Sequence, residues 1–237
     1  MGMNTAAVQR LYVAYFNRPA DPVGLAVYES KLPSDTAATY EQLLALAEEF
    51  FSPSVEYTTN FAGKSDTQKI NQLYQNIFGR DADAPGLIGW ATALTDGSIT
   101  IAEAALQMSF SAQLTDADVV AARIEAATAF TSGLDTAEEI TGYGGDAAAA
   151  QGRAYLAQIS GELPTTADAI TAQKDSAIAN VDASIEAAVN AGNAVAGQVF
   201  TLTTGVDNFT GGNGMDTFNA GNAATQRRIK LLTPLMC

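Results

Sequence analysis

The sequence contains no histidine, and its single cysteine, Cys237, is the last residue. Without histidine, the chain cannot supply a Ser-His-Asp triad, a Cys-His pair or a histidine-bound metal site. With one cysteine, it can form neither an internal disulfide bond nor a zinc site with two cysteine ligands. Positive charge is also scarce, because 12 basic residues stand against 26 acidic ones and the net charge is −14. We therefore expect no binding to nucleic acid, whose phosphates need a basic surface.

Long apolar runs are missing as well. No stretch of about 18 consecutive apolar residues is present, so we expect no transmembrane segment. The first residues, MGMNTAAVQRLY, lack the basic and then apolar order of a secretory signal peptide. Hydrophobic residues nevertheless make up 47% of the chain, which predicts a folded core rather than a disordered acidic tail. These features fit a cytoplasmic protein, or one exported through an address elsewhere in a longer chain.

An internal duplication is the most specific pattern in the sequence. Residues 11–32, LYVAYFNRPADPVGLAVYESKL, align without gaps to residues 73–94, LYQNIFGRDADAPGLIGWATAL. Nine of the 22 aligned positions are identical, at a constant separation of 62 residues. Both copies contain an Arg-x-x-Asp-x-x-Gly-Leu core. Chance does not produce this agreement, so we infer that one structural unit occurs twice.

Each copy has the residues of a helix–tight turn–helix unit. Asp21 and Asp83 directly precede the second apolar stretch, where an aspartate caps a helix by accepting hydrogen bonds from free backbone N–H groups. The apolar residues of that stretch then recur at helical spacing on one face. In the first copy these are Leu25, Tyr28 and Leu32, and in the second they are Leu87, Trp90 and Leu94.

The rest of the chain up to about residue 192 also reads as helical, so the predicted fold class is all-α with many helices. We expect helices at Ala37–Phe51 and Ile101–Phe110, and one long alanine-rich helix at Thr165–Ala191. Thr115 and Asp135 are placed to cap the helices that follow them. No strand pattern is visible before residue 197.

Changes in composition divide the chain into four parts. Residues 1–114 hold the duplication, and residues 115–192 form an alanine-rich helical region that we assign to the same domain. Residues 193–224 are rich in Thr, Gly, Asn and Asp and predict short strands joined by turns. Residues 225–237, TQRRIKLLTPLMC, hold three basic residues and no acidic one, and we interpret them as a cloning or frameshift scar. The alternative is a genuine basic tail, and with either interpretation we expect the chain to be a fragment.

A calcium-binding motif stands near the C-terminus. Residues 211–219, GGNGMDTFN, match one nonapeptide repeat of the form G-G-x-G-x-D-x-U-x. In such repeats the glycines form turns that aim backbone carbonyls at the ion, and the aspartate supplies charge. Asp207, Gly212, Gly214 and Asp216 are therefore candidates for a partial calcium site. Since the ion is held between successive turns, one repeat supplies half a site, and the alternative is the start of a β-coil without bound calcium.

The shared turns offer a candidate glycan site. A guanidinium and a carboxylate, as in Arg18 with Asp21 or Arg80 with Asp83, can hold a sugar, and Trp90 can stack on one. A structural interpretation stands beside each of these. The aspartates are then helix caps, the arginines pack on aromatic rings and pair with carboxylates, and Trp90 belongs to the core.

Three features together resemble known architectures: the duplicated LY-x₃-F-x-R-x-x-D-x-x-G-L unit, the alanine-rich helical part, and VFTLTTGVDNFTG running into a calcium repeat. The duplicated unit resembles a bacterial repeat family of no assigned function, found in large secreted proteins and similar to phycobilisome linker domains. The order over residues 1–220 resembles the N-terminal region of surface-layer (S-layer) proteins of the Caulobacter and Campylobacter type, and of related calcium-repeat (RTX) adhesins.

This resemblance implies a non-enzymatic role at the extracellular face of the outer membrane. In those families the helical part anchors the protein to lipopolysaccharide, often to its O-polysaccharide. The calcium-repeat remainder forms the lattice, and a C-terminal signal directs type I secretion. The partners implied here are lipopolysaccharide and further copies of the chain, with calcium as the cofactor.

Two other functions stay open from the residues themselves. The duplicated helical units can serve self-assembly or adhesion without binding sugar. A glycosidase that uses two carboxylates about 5–9 Å apart needs neither histidine nor cysteine. No carboxylate pair has a supporting motif, so we expect the protein not to be an enzyme.

Overall fold

The computed structural model describes residues 2–193 and four short strands after them. Residues 2–193 are helical with no strand among them, which confirms the predicted all-α class for this part of the chain. The helices of the first half are α1 (Thr5–Phe16), α2 (Pro22–Glu29), α3 (Tyr40–Leu46), α4 (Val55–Phe61), α5 (Asp66–Phe78), α6 (Ala84–Thr95) and α7 (Ile101–Ser111). Those of the second half are α8 (Leu114–Gly133), α9 (Ala137–Gly142), α10 (Gly145–Leu156), α11 (Ala167–Ala179) and α12 (Val181–Asn193).

The two copies of the duplicated segment fold alike. Helices α1 and α5 end at Phe16 and Phe78, as predicted, and each is followed by a residue in the left-handed conformation, Asn17 or Gly79. The turn then leads into α2 or α6, both of which carry a proline in the first turn. Because proline lacks the N–H group that is free at this position, it favours the start of a helix. The same local signals thus produce the same bend twice.

Two clusters of buried apolar side chains form the core, and α8 contributes to both. The first cluster lies among α1 to α7, and Val120 and Ile124 of α8 belong to it. The second lies among α8 to α12, and its α8 members include Val119 and Phe130. Since adjacent residues on one helix point in different directions, α8 separates the clusters and is packed on both sides. Helix α8 therefore joins the duplicated half to the C-terminal half.

The expected helix at Ala37–Phe51 begins later and changes its geometry. Thr39 caps α3 in a capping box with Gln42, and the chain continues after α3 as a π-helical turn at Ala47–Phe51. The preceding loop is fixed by Asn4, whose side chain donates to the carbonyl oxygen of Pro33 at 2.7 Å. It also accepts a hydrogen bond from the N–H of Ala38 at 2.8 Å. This long-range contact has no local sequence signal.

The single alanine-rich helix predicted at Thr165–Ala191 is wrong, because the chain breaks at Asn180 into α11 and α12. Helix α11 packs against α8, whereas α12 packs against α9 and α10. The side chain of Asn180 donates to the carbonyl oxygen of Ser176 at 2.8 Å and competes with the helix ladder. Packing against two different surfaces therefore overrides a sequence that contains neither glycine nor proline at the break.

Two predicted caps also differ from the observed ones. Thr136, one residue after the predicted Asp135, caps α9 through a capping box with Glu139. Thr115 lies inside α8, whose first residue is Leu114. Both errors shift a helix boundary by one or two residues, which is where local patterns are least specific.

The four strands are evenly spaced at first and pair in parallel. β1 (Val199–Thr201), β2 (Asn208–Thr210) and β3 (Thr217–Asn219) begin nine residues apart, and β4 (Lys230–Leu232) follows. β1 pairs with β3, so that residues 18 positions apart stand side by side. β2 pairs with β4 at a separation of 22 residues. The strand that follows β3 therefore departs from the nine-residue spacing of the first three.

Arg123 of α8 is buried at the point where the two copies meet the C-terminal half. Its Nη1 donates to the carbonyl oxygen of Asn76 at 2.7 Å and to Oδ1 of Asn17 at 3.0 Å. Its Nε donates to the carbonyl oxygen of Ile159 at 2.9 Å. Burial lowers the pKa of Arg123 to about 10, so the side chain remains charged at neutral pH. One cation thus binds the C-terminal ends of α1 and α5 and the loop after α10.

We predict that Arg123→Met lowers the free energy of unfolding by about 3 kcal/mol or more, because it leaves several buried oxygens without donors. Urea unfolding followed by circular dichroism measures this. Lys69→Met, which removes an ion pair between Lys69 and Asp66 on the surface, is the control and should leave the midpoint nearly unchanged. Equal effects of the two substitutions would contradict the role given to Arg123.

Candidate functional site

In the first copy, the arginine of the shared turn is held by a carboxylate from α4. Nε of Arg18 donates to Oε1 of Glu56 at 2.9 Å, and Nη2 donates to Oε2 at 2.7 Å. The guanidinium lies 5.1 Å from the ring centre of Tyr12, and its Nη1 donates to the carbonyl oxygen of Pro19. Burial disfavours the charge on Arg18, but the hydrogen bonds and charge of Glu56 outweigh it and raise its pKa. The donors of Arg18 are therefore used inside the chain.

The second copy repeats this arrangement with a carboxylate from α8. Nε and Nη2 of Arg80 donate to the two carboxylate oxygens of Asp116 at 3.1 and 2.7 Å. Its Nη1 donates to the carbonyl oxygen of Asp81, and the guanidinium lies 5.2 Å from the ring centre of Tyr74. The hydrogen bonds from Asp116 raise the pKa of Arg80. The pairing predicted by the structural interpretation of both arginines is thus present.

Sequence reasoning missed the two carboxylates, Glu56 and Asp116, because they lie outside the aligned segments. A weak signal exists: each is an acidic residue in the first turn of a helix. They follow their arginines by 38 and 36 residues, so the duplication extends beyond the 22 positions that show clear identity. A longer alignment of the two copies that allowed a short gap would bring them together.

Asp21 and Asp83 cap the second helix of each unit, as predicted. Oδ1 of Asp21 accepts a hydrogen bond from the N–H of Gly24 at 2.7 Å, and Asp83 does the same for Gly86 at 2.9 Å. A Cβ atom at either glycine would collide with a tyrosine hydroxyl of the preceding helix, which explains why both copies keep glycine there. The two caps differ in access, since 54% of the Asp83 side chain is exposed against 30% for Asp21.

Trp90 lies half-buried on α6 and packs against the first core cluster together with Leu87 and Leu94. A hydrogen bond with its side chain lowers the pKa of Tyr74, although burial raises that pKa more strongly. Part of the indole remains accessible, next to the exposed Asp83 end of the same helix. The use of Trp90 as a sugar platform stays a prediction.

The first copy has additional contacts that the second lacks among the described residues. Arg153 of α10 reaches Oε1 of Glu56 at 3.3 Å, so that Glu56 pairs with two arginines. The hydroxyl of Tyr143 donates to the carbonyl oxygen of Pro19 at 3.1 Å. Burial raises the pKa of Tyr143 to about 12, which keeps this donor protonated at neutral pH. The first turn is thereby fixed against the C-terminal half of the domain.

A cleft of about 310 Å³ lies where the end of α8 meets α9 and α12. Its acidic lining comprises Glu138, Glu139, Asp182 and Glu186. Glu139 is tied to the N-terminus of α9, and the hydrogen bonds from Thr136 lower its pKa. A general acid needs a raised pKa, so Glu139 has the opposite character. Within residues 2–193, no group of three or more His, Cys, Asp or Glu side chains is placed to hold a metal ion.

The candidate calcium ligands Asp207, Gly212, Gly214 and Asp216 lie outside the described residues. Only the short strands between them are described, so the partial calcium site stays a prediction. None of the helices within residues 2–193 combines the length and apolar character needed to cross a membrane.

Comparison with known proteins identifies one family. Residues 47–116 match the model of a family described as "Domain of unknown function (DUF4214)". The match runs from the π-helical turn to the start of α8, so it includes the whole second copy with Arg80 and Asp116. It covers less than a third of the chain. No curated protein and no solved structure matches the sequence.

We predict that Glu56→Gln destabilises the domain more than Asp116→Asn does. The first change removes the carboxylate from two arginines and should cost about 2 to 3 kcal/mol, whereas the second affects one arginine and should cost about 1 kcal/mol. Urea unfolding of the two variants under identical conditions measures the difference. Equal losses would mean that Arg153 adds nothing to the first site.

Proposed function

We propose that this chain is a non-enzymatic module that anchors a secreted surface-layer protein to the cell by binding lipopolysaccharide O-polysaccharide. The observation that carries the proposal is the order of its parts. A helical body with a duplicated unit is followed by strands that begin at residues 199, 208 and 217. A nine-residue period is the repeat length of the calcium-binding β-roll of secreted proteins.

The strand pairing supports a β-roll in particular. If strands nine residues apart lie on opposite sides of a coil, each strand stacks on the one two repeats later. β1 and β3 pair in this way, in parallel and 18 residues apart. Asp207 and Asp216 are also nine residues apart, so successive turns would present equivalent carboxylates to calcium. The proposal therefore includes calcium as a cofactor of this region and type I secretion as the route of export.

The charges of the helical body favour a neutral sugar over lipid phosphate as the ligand. Six of its cations bind acidic side chains or backbone oxygens of the chain itself: Arg18, Lys69, Arg80, Arg123, Arg153 and Lys174. Since the net charge is −14, phosphate-rich lipid would be repelled. Uncharged O-polysaccharide avoids this repulsion, and calcium can bridge any remaining acidic groups.

The two copies would then have different parts in glycan binding. Arg18, Asp21 and Arg80 shape the turns, because their polar atoms are occupied by the ion pairs and caps described above. Asp83 and Trp90 lie at the accessible end of α6 and are the residues we assign to contact with sugar. A carboxylate beside an indole supplies hydrogen-bond acceptors and a stacking surface.

Co-sedimentation with surface-layer-stripped cells tests the proposed function. We expect the chain to bind cells that carry O-polysaccharide and not matched cells that lack it. If calcium bridges the contact, binding falls when a chelator is added. Equal binding to both cell types, or to neither, would overturn O-polysaccharide anchoring.

We further predict that Asp83→Asn combined with Trp90→Phe weakens binding to O-polysaccharide about tenfold, or roughly 1.4 kcal/mol. Asparagine still caps a helix and phenylalanine still packs, so far-UV circular dichroism should stay unchanged. Asp21→Asn, at the equivalent position of the first copy, is the matched control and should bind like the unaltered chain. Full binding by the double variant would remove Asp83 and Trp90 from the glycan site.

A further inference from the structure

The outward faces of α2 and α6 carry no charged residue. Four exposed positions on α2 correspond, 62 residues later, to four exposed positions on α6. On α2 they are Val23, Ala26, Val27 and Ser30, and on α6 they are Pro85, Ile88, Gly89 and Thr92. We call these sets the α2 stripe and the α6 stripe. Val23, Val27 and Ile88 are 55%, 47% and 67% exposed, respectively.

These stripes are unusual for this chain. With 26 acidic residues in the sequence, an outward helix face would be expected to carry carboxylates. Helix α6 instead contains no charged residue at all, and none of its residues is fully buried. Exposed apolar surface of this kind marks a site of interaction. Both copies have kept the face free of charge although all four residues differ between them.

Gly89 gives a second, independent indication. Glycine weakens the interior of a helix, so it needs a reason to be there. At Gly86 the reason is internal, because a Cβ atom would collide with the hydroxyl of Tyr74. At Gly89 a Cβ atom would meet nothing within 4 Å, so no contact within the chain requires glycine. A notch in an otherwise apolar outward face suits the close approach of a second helix.

We propose that the α2 stripe of one copy packs on the α6 stripe of a second copy, with Val27 seated against Gly89. The two residues occupy the same position of the duplicated unit, one as a branched projection and the other as a gap. Packing of a projection into a groove is the general rule for helix pairs. Because the two stripes differ, the contact is head-to-tail and leaves one free stripe at each end, so copies can add in a row.

Charge favours a second copy of this chain as the occupant. Two copies with a net charge of −14 repel each other, so they associate only where carboxylates are kept out of the contact. Both stripes meet this condition. A glycan is a poorer fit, since the side chains of Val, Ile and Pro offer no hydrogen bonds to sugar hydroxyl groups. This contact is independent of O-polysaccharide binding.

Sedimentation velocity of the full chain over a range of concentrations tests the proposal. We expect the mean mass to rise with concentration and, because salt screens the repulsion, to rise further with added sodium chloride. Val27→Glu and Ile88→Glu should each give monomers, because each destroys one stripe in every copy. An equimolar mixture of the two variants should form dimers that grow no further, since one intact stripe of each kind remains.

Val55→Glu is the matched control, because Val55 is 76% exposed on α4 and belongs to neither stripe. It should associate like the unaltered chain. Gly89→Ala is the sharpest variant: it should raise the melting temperature by about 2 °C or more through helix propensity, yet weaken association at least about tenfold. Monomers of the unaltered chain at every concentration and salt level would overturn the proposal. Association that survives Val27→Glu, Ile88→Glu or Gly89→Ala, or a variant mixture that stays monomeric, would also overturn it.

Discussion

The buried guanidinium of Arg123 is the contact on which the arrangement of the helices depends. A buried cation without a carboxylate partner needs several oxygen acceptors, and the C-terminal ends of helices supply them. Duplication provides two such ends, α1 and α5, which turn through Asn17 and Gly79 in the left-handed conformation. A side chain at Gly79 would collide with the guanidinium and with the carbonyl oxygen of Ile159. The glycine, the two helix ends and the arginine therefore require one another.

Local signals and long-range contacts separate what the sequence could predict from what it could not. The caps at Asp21 and Asp83 were predictable, because a cap acts on an N–H group three residues away. The calcium repeat was noticed at one position only, although the nine-residue spacing of Phe200, Phe209 and Phe218 was present in the sequence. Arg123, Glu56 and Asp116 were not predictable, since their partners lie 36 or more residues away and no second sequence was there to reveal the pairing. The break at Asn180 was missed because packing, not composition, causes it.

The two copies have diverged in what surrounds them rather than in how they fold. In the first, Glu56 holds both Arg18 and Arg153, and this ties the turn to α10. In the second, Arg80 is paired with Asp116 alone, and more of the neighbouring Asp83 is exposed. A duplicated unit thus serves once as an internal joint and once as a surface. This difference is the physical reason for assigning ligand contact to the second copy.

Electrostatics then limits how such a chain can bind at an anionic cell surface. The cations nearest the candidate site are committed: Arg18 and Arg80 each make two hydrogen bonds to a carboxylate, and Arg123 is buried. Attraction to phosphate would require breaking those pairs, which leaves a carboxylate behind and gains little. Contacts that need no charge, such as neutral sugar at α6 or the uncharged stripes of α2 and α6, avoid that cost. The acidic surface then restricts association to those contacts, because approach in any other orientation is repulsive.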